Sequence, residues 1–264
     1  MLITGAGSGI GRLMALGAAE RGAKAVIIWD LKPDETAAEI QAMGVDSVGM
    51  VVDVTDGPGV DASGQDVLAR FGRVDILINN AGIVTGKKFL ELTDRDAELT
   101  FAVNTLSHYK TTRQFLPGMI ERDRGSVVTI ASAAGLIGVA RQTGYSASKF
   151  GAVGFAESLR AELRHEGSNV HTLLVCPYYI DTGMFEGVKT KVPLLLPILK
   201  PERVAAQVLD AIEAGNQMKV LPTFARSSML LKILPVPLQD PVADLFGINS
   251  TMDEFTGRKA PAEK

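Results

Sequence analysis

Thr4-Gly5-Ala6-Gly7-Ser8-Gly9-Ile10-Gly11 stands between a short apolar run and a helix-forming stretch at 10–21, and its reading decides how the chain begins to fold. Glycine reaches backbone conformations closed to other residues and lets a second backbone come close, so this octet reads as a tight strand-to-helix turn. Working outward, β-rich runs at 25–30, 48–53, 74–79, 126–131, 170–176 and 219–221 alternate with helix-like segments at 33–43, 93–122, 145–165 and 201–214. The runs are apolar throughout instead of every second residue, as in parallel strands covered by helices on both faces. Repeated βα units of this kind predict an α/β fold with a doubly wound, mostly parallel sheet. The segment 57–64, rich in glycine and holding Pro58, reads as a loop leading into a short helix at 65–71.

The 264 residues are 46% hydrophobic and 22% charged, a globular composition. α/β folds of about 250 residues are often single, so one domain spanning 1–264 is expected. A net charge of −3 and the lack of any long Lys/Arg run argue against a nucleic-acid partner. Cys176 is the single cysteine, which excludes an internal disulfide and fits a reducing, cytoplasmic setting. No signal peptide is read ahead of Thr4, and a missing N-terminal extension stays open. His108, His165 and His171 have no metal-ligand spacing, so no metal site is expected. The stretches 192–199 and 229–235 are apolar and broken by proline. They are too short to span a membrane and read first as a lid or buried segment, with an oligomer contact and a shallow peripheral membrane contact left open.

At the end of a strand, a glycine turn that opens a helix offers backbone N–H groups and a helix dipole to a pyrophosphate. The glycines here fall at 5, 9 and 11, which departs from the strict dinucleotide spacing because position 10 is Ile10. A plain glycine-rich turn satisfies the same residues. Asp30 closes the second apolar run about twenty residues on, where a carboxylate can accept hydrogen bonds from a ribose 2′-hydroxyl. Its charge repels a 2′-phosphate, so NAD is favoured over NADP, with Lys32 the one nearby cation that blurs the choice. A solvated strand end is the other reading of Asp30.

Tyr145 and Lys149 are four residues apart, hence on one helix face and one turn from each other. A tyrosine with a pKa near ~10 is a poor base at neutral pH, but a neighbouring ammonium favours the phenolate. Ser132 lies thirteen residues before Tyr145, at the end of the 126–131 run, and can donate a hydrogen bond to the same substrate oxygen. Hydride transfer to a carbonyl needs such a set, because the resulting oxyanion must gain a proton and the reverse oxidation must remove it.

Read together, Thr4-Gly5-Ala6-Gly7-Ser8-Gly9-Ile10-Gly11, Asp53-Val54, Asn79-Asn80-Ala81-Gly82, Asn104, Ser132, Tyr145 and Lys149 resemble the short-chain dehydrogenase/reductase family in order and spacing over about the first 200 positions. The resemblance implies a Rossmann-like, seven-stranded, single-domain fold. It implies Tyr145 as general acid/base, Lys149 as the group that lowers its pKa and holds the nicotinamide ribose, and Ser132 as the group that orients the substrate oxygen. Asn104 is implied to anchor a water linking Lys149 to solvent. Gly5, Ser8, Gly9, Ile10 and Gly11 would hold the pyrophosphate, Asp53 the adenine amino group, Val54 the adenine ring, and Asn80, Ala81 and Gly82 the back of the cofactor. Pro177, Ile180 and Thr182 match the family's nicotinamide grip, although Tyr178 replaces its usual glycine. Cys-Pro followed by two bulky residues and Ile-Asp-Thr-Gly-Met-Phe is similar to the retinol and hydroxysteroid dehydrogenase subgroup.

That resemblance implies an NAD-dependent alcohol dehydrogenase/carbonyl reductase for a secondary or lipophilic alcohol or ketone, with 178–200 as substrate loop and 222–264 as C-terminal extension. A homodimer or homotetramer is implied on the same ground. The competing reading is a non-catalytic dinucleotide-binding regulatory or scaffold protein that kept the fold.

Overall fold

The computed structural model describes residues 1–257, so positions 258–264 of the expected C-terminal extension lie outside the described residues. The chain runs β1 (Leu2–Thr4), α1 (Gly9–Glu20), β2 (Ala25–Asp30), α2 (Asp34–Ala42), β3 (Asp46–Val51), α3 (Gly57–Phe71), β4 (Ile76–Asn79), α4 (Asp94–Phe101) and α5 (Ser107–Glu121). It continues through β5 (Ser126–Ile130), α6 (Thr143–His165), β6 (His171–Pro177), α7 (Pro201–Glu213), β7 (Met218–Leu221), α8 (Ser227–Leu231) and α9 (Val236–Leu245).

All neighbouring strands pair in parallel, in the order β3-β2-β1-β4-β5-β6-β7. The continuous apolar runs are explained by where alternate residues go. Ile3, Val26, Ile28, Ile78 and Val128 pack under α1, α2 and α7, whose Met14, Ile40 and Val208 are buried with them. Leu2, Ile27, Trp29, Leu77 and Val127 point the other way, onto Val60 and Val67 of α3, Phe115 and Met119 of α5, and Leu163 of α6. Each fully buried side chain of this size contributes roughly 1.5–3 kcal/mol, so both faces must be covered for the sheet to be stable. The expected doubly wound sheet is therefore present, with seven strands and helices on both faces.

Two expectations need correction. Residues 57–64 are helical, because α3 starts at Gly57. Pro58 sits in the first turn, where a missing N–H is harmless. Gly64 lets α3 approach α5, since a Cβ there would come within 2.9 Å of Gln114 Cγ. Val60 and Val67 bury on one face two turns apart, and that burial outweighs the poor helix propensity of the glycines. The expected helix at 93–122 is interrupted by a π-helical turn at Ala102–Leu106, between α4 and α5. Among the described residues, no helix is long and apolar enough to cross a membrane.

Candidate active site

The strand order reverses between β1 and β4, and a doubly wound sheet opens a crevice at the carboxyl ends of such strands. The glycine turn leaves β1 into this crevice. Gly5 has φ +66° and Gly9 φ +57°, and a Cβ on Gly11 would sit 2.2 Å from the Gly5 carbonyl oxygen. Ser8 precedes α1 in extended conformation, and its side chain makes no capping hydrogen bond. The first N–H groups of α1 thus keep their capacity to bind an anion.

The loop after β4 is stitched to this turn. Asn80 Nδ2 donates to the carbonyls of Thr4 at 2.9 Å and Gly5 at 3.0 Å, while Thr4 Oγ1 accepts from the N–H groups of Asn80 at 3.0 Å and Ala81 at 3.1 Å. At the end of β2, Asp30 Oδ2 accepts from the Gly7 N–H at 2.8 Å and Oδ1 from the Lys32 N–H at 3.0 Å. Asp53 accepts from the Thr55 N–H at 2.8 Å and hydroxyl at 2.7 Å, both through Oδ1.

Ser132 follows β5, and its Oγ accepts from the Ala134 N–H at 3.1 Å and lies 3.4 Å from the Pro177 carbonyl. Tyr145 and Lys149 rise from the first turns of α6 and are buried at 6% and 3% exposure. Lys149 Nζ donates to the Ile130 carbonyl at 2.9 Å and stands 5.8 Å from the centre of the Tyr145 ring. Burial pushes the Tyr145 phenol up to about 12, with the hydrogen bond to Ser132 acting the other way. Burial likewise takes Lys149 down to about 8. The expected lowering of the phenol by Lys149 is thus not met in the free protein. Loss of water around a phenolate outweighs an ammonium that is displaced from the ring and bonded to a carbonyl.

Gly5, Ser8, Gly9, Ile10, Gly11, Asp30, Asp53, Val54, Asn80, Ala81, Gly82, Ser132, Tyr145, Lys149, Pro177, Ile180 and Thr182 all line one cleft of about 770 Å³. Asn104 stands behind its wall. In the π turn, Asn104 Oδ1 accepts from the Ile83 N–H at 2.8 Å, and Nδ2 donates to the Ile83 carbonyl and to Ser148 Oγ, both at 2.9 Å. That side chain clamps the loop after β4 onto α6. π turns of this kind are often retained at functional sites.

Sequence reasoning missed much of the cleft's far half. Gln142, Phe185 and Thr251 line it, as do Leu230 and Leu231 of α8 and Val242 of α9. Phe185 falls in the expected substrate loop at 178–200, and Leu230 and Leu231 in the apolar stretch at 229–235, but neither span carries a register; Gln142, Val242 and Thr251 gave no signal as individual residues. Tyr178, at the position of the missing glycine, packs edge-on to Tyr179 with ring centres 4.6 Å apart and donates its N–H to the Leu221 carbonyl at 2.7 Å. Cys176 is fully buried at the end of β6, and burial raises its thiol to about 12, consistent with a packing role. Buried His108 is held down to about 3, largely by desolvation. Among the described residues, no three His, Cys, Asp or Glu side chains group as metal ligands.

A family model described as short chain dehydrogenase matches residues 1–193. The chain is 43% identical over 265 residues to epidermal retinol dehydrogenase 2 of Mus musculus, covering 98% of this chain and 85% of the relative. It is 39% identical over 240 residues to estradiol 17-beta-dehydrogenase 11 of Macaca fascicularis, covering 89% of this chain and 79% of the relative. Among solved structures, an alcohol dehydrogenase from Thermococcus sibiricus complexed with 5-hydroxy-NADP superposes with TM-score 0.74 at 26% identity, covering 83% of this chain and 94% of that one.

Proposed function

Since the chain belongs to the short-chain dehydrogenase family, we propose that it interconverts a secondary or lipophilic alcohol and its carbonyl compound with NAD(H), Tyr145 serving as acid/base. The observation that carries this reading is the convergence of Ser132, Tyr145 and Lys149 on the same cleft as the glycine turn, with aliphatic and aromatic side chains lining the remainder. The retinol and estradiol named for the two relatives are large apolar alcohols, and a cleft lined by Ile137, Leu196, Leu230 and Phe246 suits that class.

The residues present fit a dinucleotide. Gly11 leaves no room for a side chain, a Cβ on Gly9 would meet only Thr182 at 3.7 Å, and the open start of α1 faces the same space. Gly5, Ser8, Gly9, Ile10 and Gly11 would hold the pyrophosphate, Asp30 the adenosine ribose, and Asp53 and Val54 the adenine. Asn80 to Gly82 would line the back of the nicotinamide half, with Pro177, Ile180 and Thr182 around its carboxamide. When bound, the nicotinamide supplies or accepts the hydride. Ser132 holds the substrate oxygen, and Tyr145 gives it the phenol proton in reduction and, as the phenolate, takes the alcohol proton in oxidation. Lys149 stabilises charge on the phenol oxygen, while Asn104 keeps the loop and α6 in register.

The carboxylate of Asp30 would stand against a 2′-phosphate, so NADH is expected to bind at least about tenfold more tightly than NADPH. Replacing Asp30 by serine should narrow that ratio. Fluorescence titration of both cofactors checks it, and tighter NADPH binding by the unaltered protein rejects the preference. A panel of alcohols and ketones followed by NADH absorbance tests the reaction itself. Exposed Leu99, Phe101, Leu106 and Tyr109 along α4 and α5 support pairing between subunits.

A further inference from the structure

Gly7 is not among the described residues that line the cleft, although Gly5, Ser8 and Gly9 around it are. Its backbone does not call for glycine either. Gly5 and Gly9 have φ of +66° and +57°, whereas the φ of Gly7 lies outside the left-handed region that favours glycine. What the position cannot accept is volume. A Cβ there would stand 2.4 Å from the Lys32 carbonyl oxygen and 2.7 Å from both Cγ and Oδ1 of Asp30. The Lys32 oxygen is backbone, so no side-chain rotation relieves that contact, and the glycine turn would have to part from the chain after β2.

This close approach is what fixes the Asp30 carboxylate. The Gly7 N–H donates to Oδ2 at 2.8 Å and the Lys32 N–H to Oδ1 at 3.0 Å, one backbone donor for each oxygen. An ionised carboxylate offers about four acceptor sites, so both oxygens keep capacity for a ribose hydroxyl. Selection against a 2′-phosphate depends on the same tethers. A carboxylate on a free side chain swings into water when an anion arrives, and the repulsion that discriminates is lost; one held at both oxygens stays in the way. Asp30 lines the cleft, and Gly7 holds it without lining the cleft itself.

We propose that Gly7 is a positioning residue for cofactor choice: its N–H and its lack of a side chain together hold Asp30 where the carboxylate accepts a ribose hydroxyl and excludes a 2′-phosphate. The inference rests on the NAD(H) preference proposed above and names the residue that enforces it. Gly7 takes no part in the hydride or proton transfer.

Fluorescence titrations of NADH and NADPH on the full chain give the ratio of their dissociation constants for the unaltered protein, Gly7→Ala, Asp30→Ser and the double variant. A pyrophosphate turn that is merely loosened weakens both cofactors alike and leaves this ratio unmoved. Gly7→Ala should instead bring it from at least about tenfold to within about threefold of one. In the Asp30→Ser background the same change should move the ratio no further, because its effect runs through the carboxylate. A ratio undiminished in Gly7→Ala, or a drop of equal size in the Asp30→Ser background, would overturn the assignment while leaving the NAD(H) preference intact. If Gly7→Ala binds neither cofactor, Asp30→Glu decides: it keeps the charge, but one more methylene carries the carboxylate past the Gly7 and Lys32 N–H groups. The ratio should narrow there too, and full selectivity in Asp30→Glu would overturn the proposal. NADPH bound by the unaltered protein at least as tightly as NADH would overturn both the proposal and the preference it rests on.

Discussion

Replacing Tyr145 by phenylalanine is expected to lower turnover by about 10²–10⁴-fold, the usual worth of a positioned acid/base, with NADH binding retained. The ring stays buried against Phe185, so the packing around position 145 changes little. What disappears is the one phenol hydroxyl of the cleft that Ser132 and Lys149 also line. Burial holds the phenol at about 12 in the free protein, so between pH 7 and 9 only its neutral form is populated appreciably, and the ionised fraction grows about tenfold per pH unit. Alcohol oxidation, which requires a proton acceptor, should therefore accelerate with pH in this window. The residual rate of Tyr145→Phe should lack that slope. Single-turnover kinetics with NAD at several pH values measure both, and a variant with undiminished rate removes Tyr145 from the reaction.

The parts of this site that could be read from residues are those whose chemistry demands a fixed spacing. Gly11 is legible because backbone stands where a side chain would go, and Tyr145 and Lys149 because one helical turn brings them to a common face. The strands were legible because burial on both faces removes polar positions, as Val26 to Trp29 show. α3 was not, since its helicity comes from Val60 and Val67 meeting a layer built by residues about fifty positions away. Gln142 carried no signal for a similar reason. Its place in the cleft wall is held through Tyr179 and Thr251, distant in sequence, and no local pattern announces that chain of hydrogen bonds. The protonation of Tyr145 was misjudged because spacing gives the distance to a charge and says nothing of how much water is lost.

Lys149→Met is expected to abolish useful turnover and yet make the protein more stable at neutral pH. A buried lysine held at about 8 against an ordinary 10.5 destabilises the folded state below pH 8 by about 3 kcal/mol, at roughly 1.36 kcal/mol per pH unit. Methionine has similar length and no charge to desolvate, but its introduction leaves the Ile130 carbonyl without its donor, an offset of about 1–3 kcal/mol. The net gain at pH 7 is accordingly about 1 kcal/mol, or roughly 2–4 °C in Tm for a domain of this size. The pH dependence is the sharper test. The unfolded chain binds the lysine proton up to 10.5 while the folded one releases it near 8, so the unaltered protein gains stability relative to the variant as pH rises through this interval. Cys176, raised to about 12, weakens both proteins alike above pH 9 and cancels in the difference. Denaturant melts should show the variant about 1 kcal/mol more stable at pH 7 and about 1 kcal/mol less stable at pH 10, a swing of about 2 kcal/mol. An advantage that stays constant with pH would mean that Lys149 is not buried as a charge, and the case for a lysine kept in the cleft at the expense of stability would fail with it.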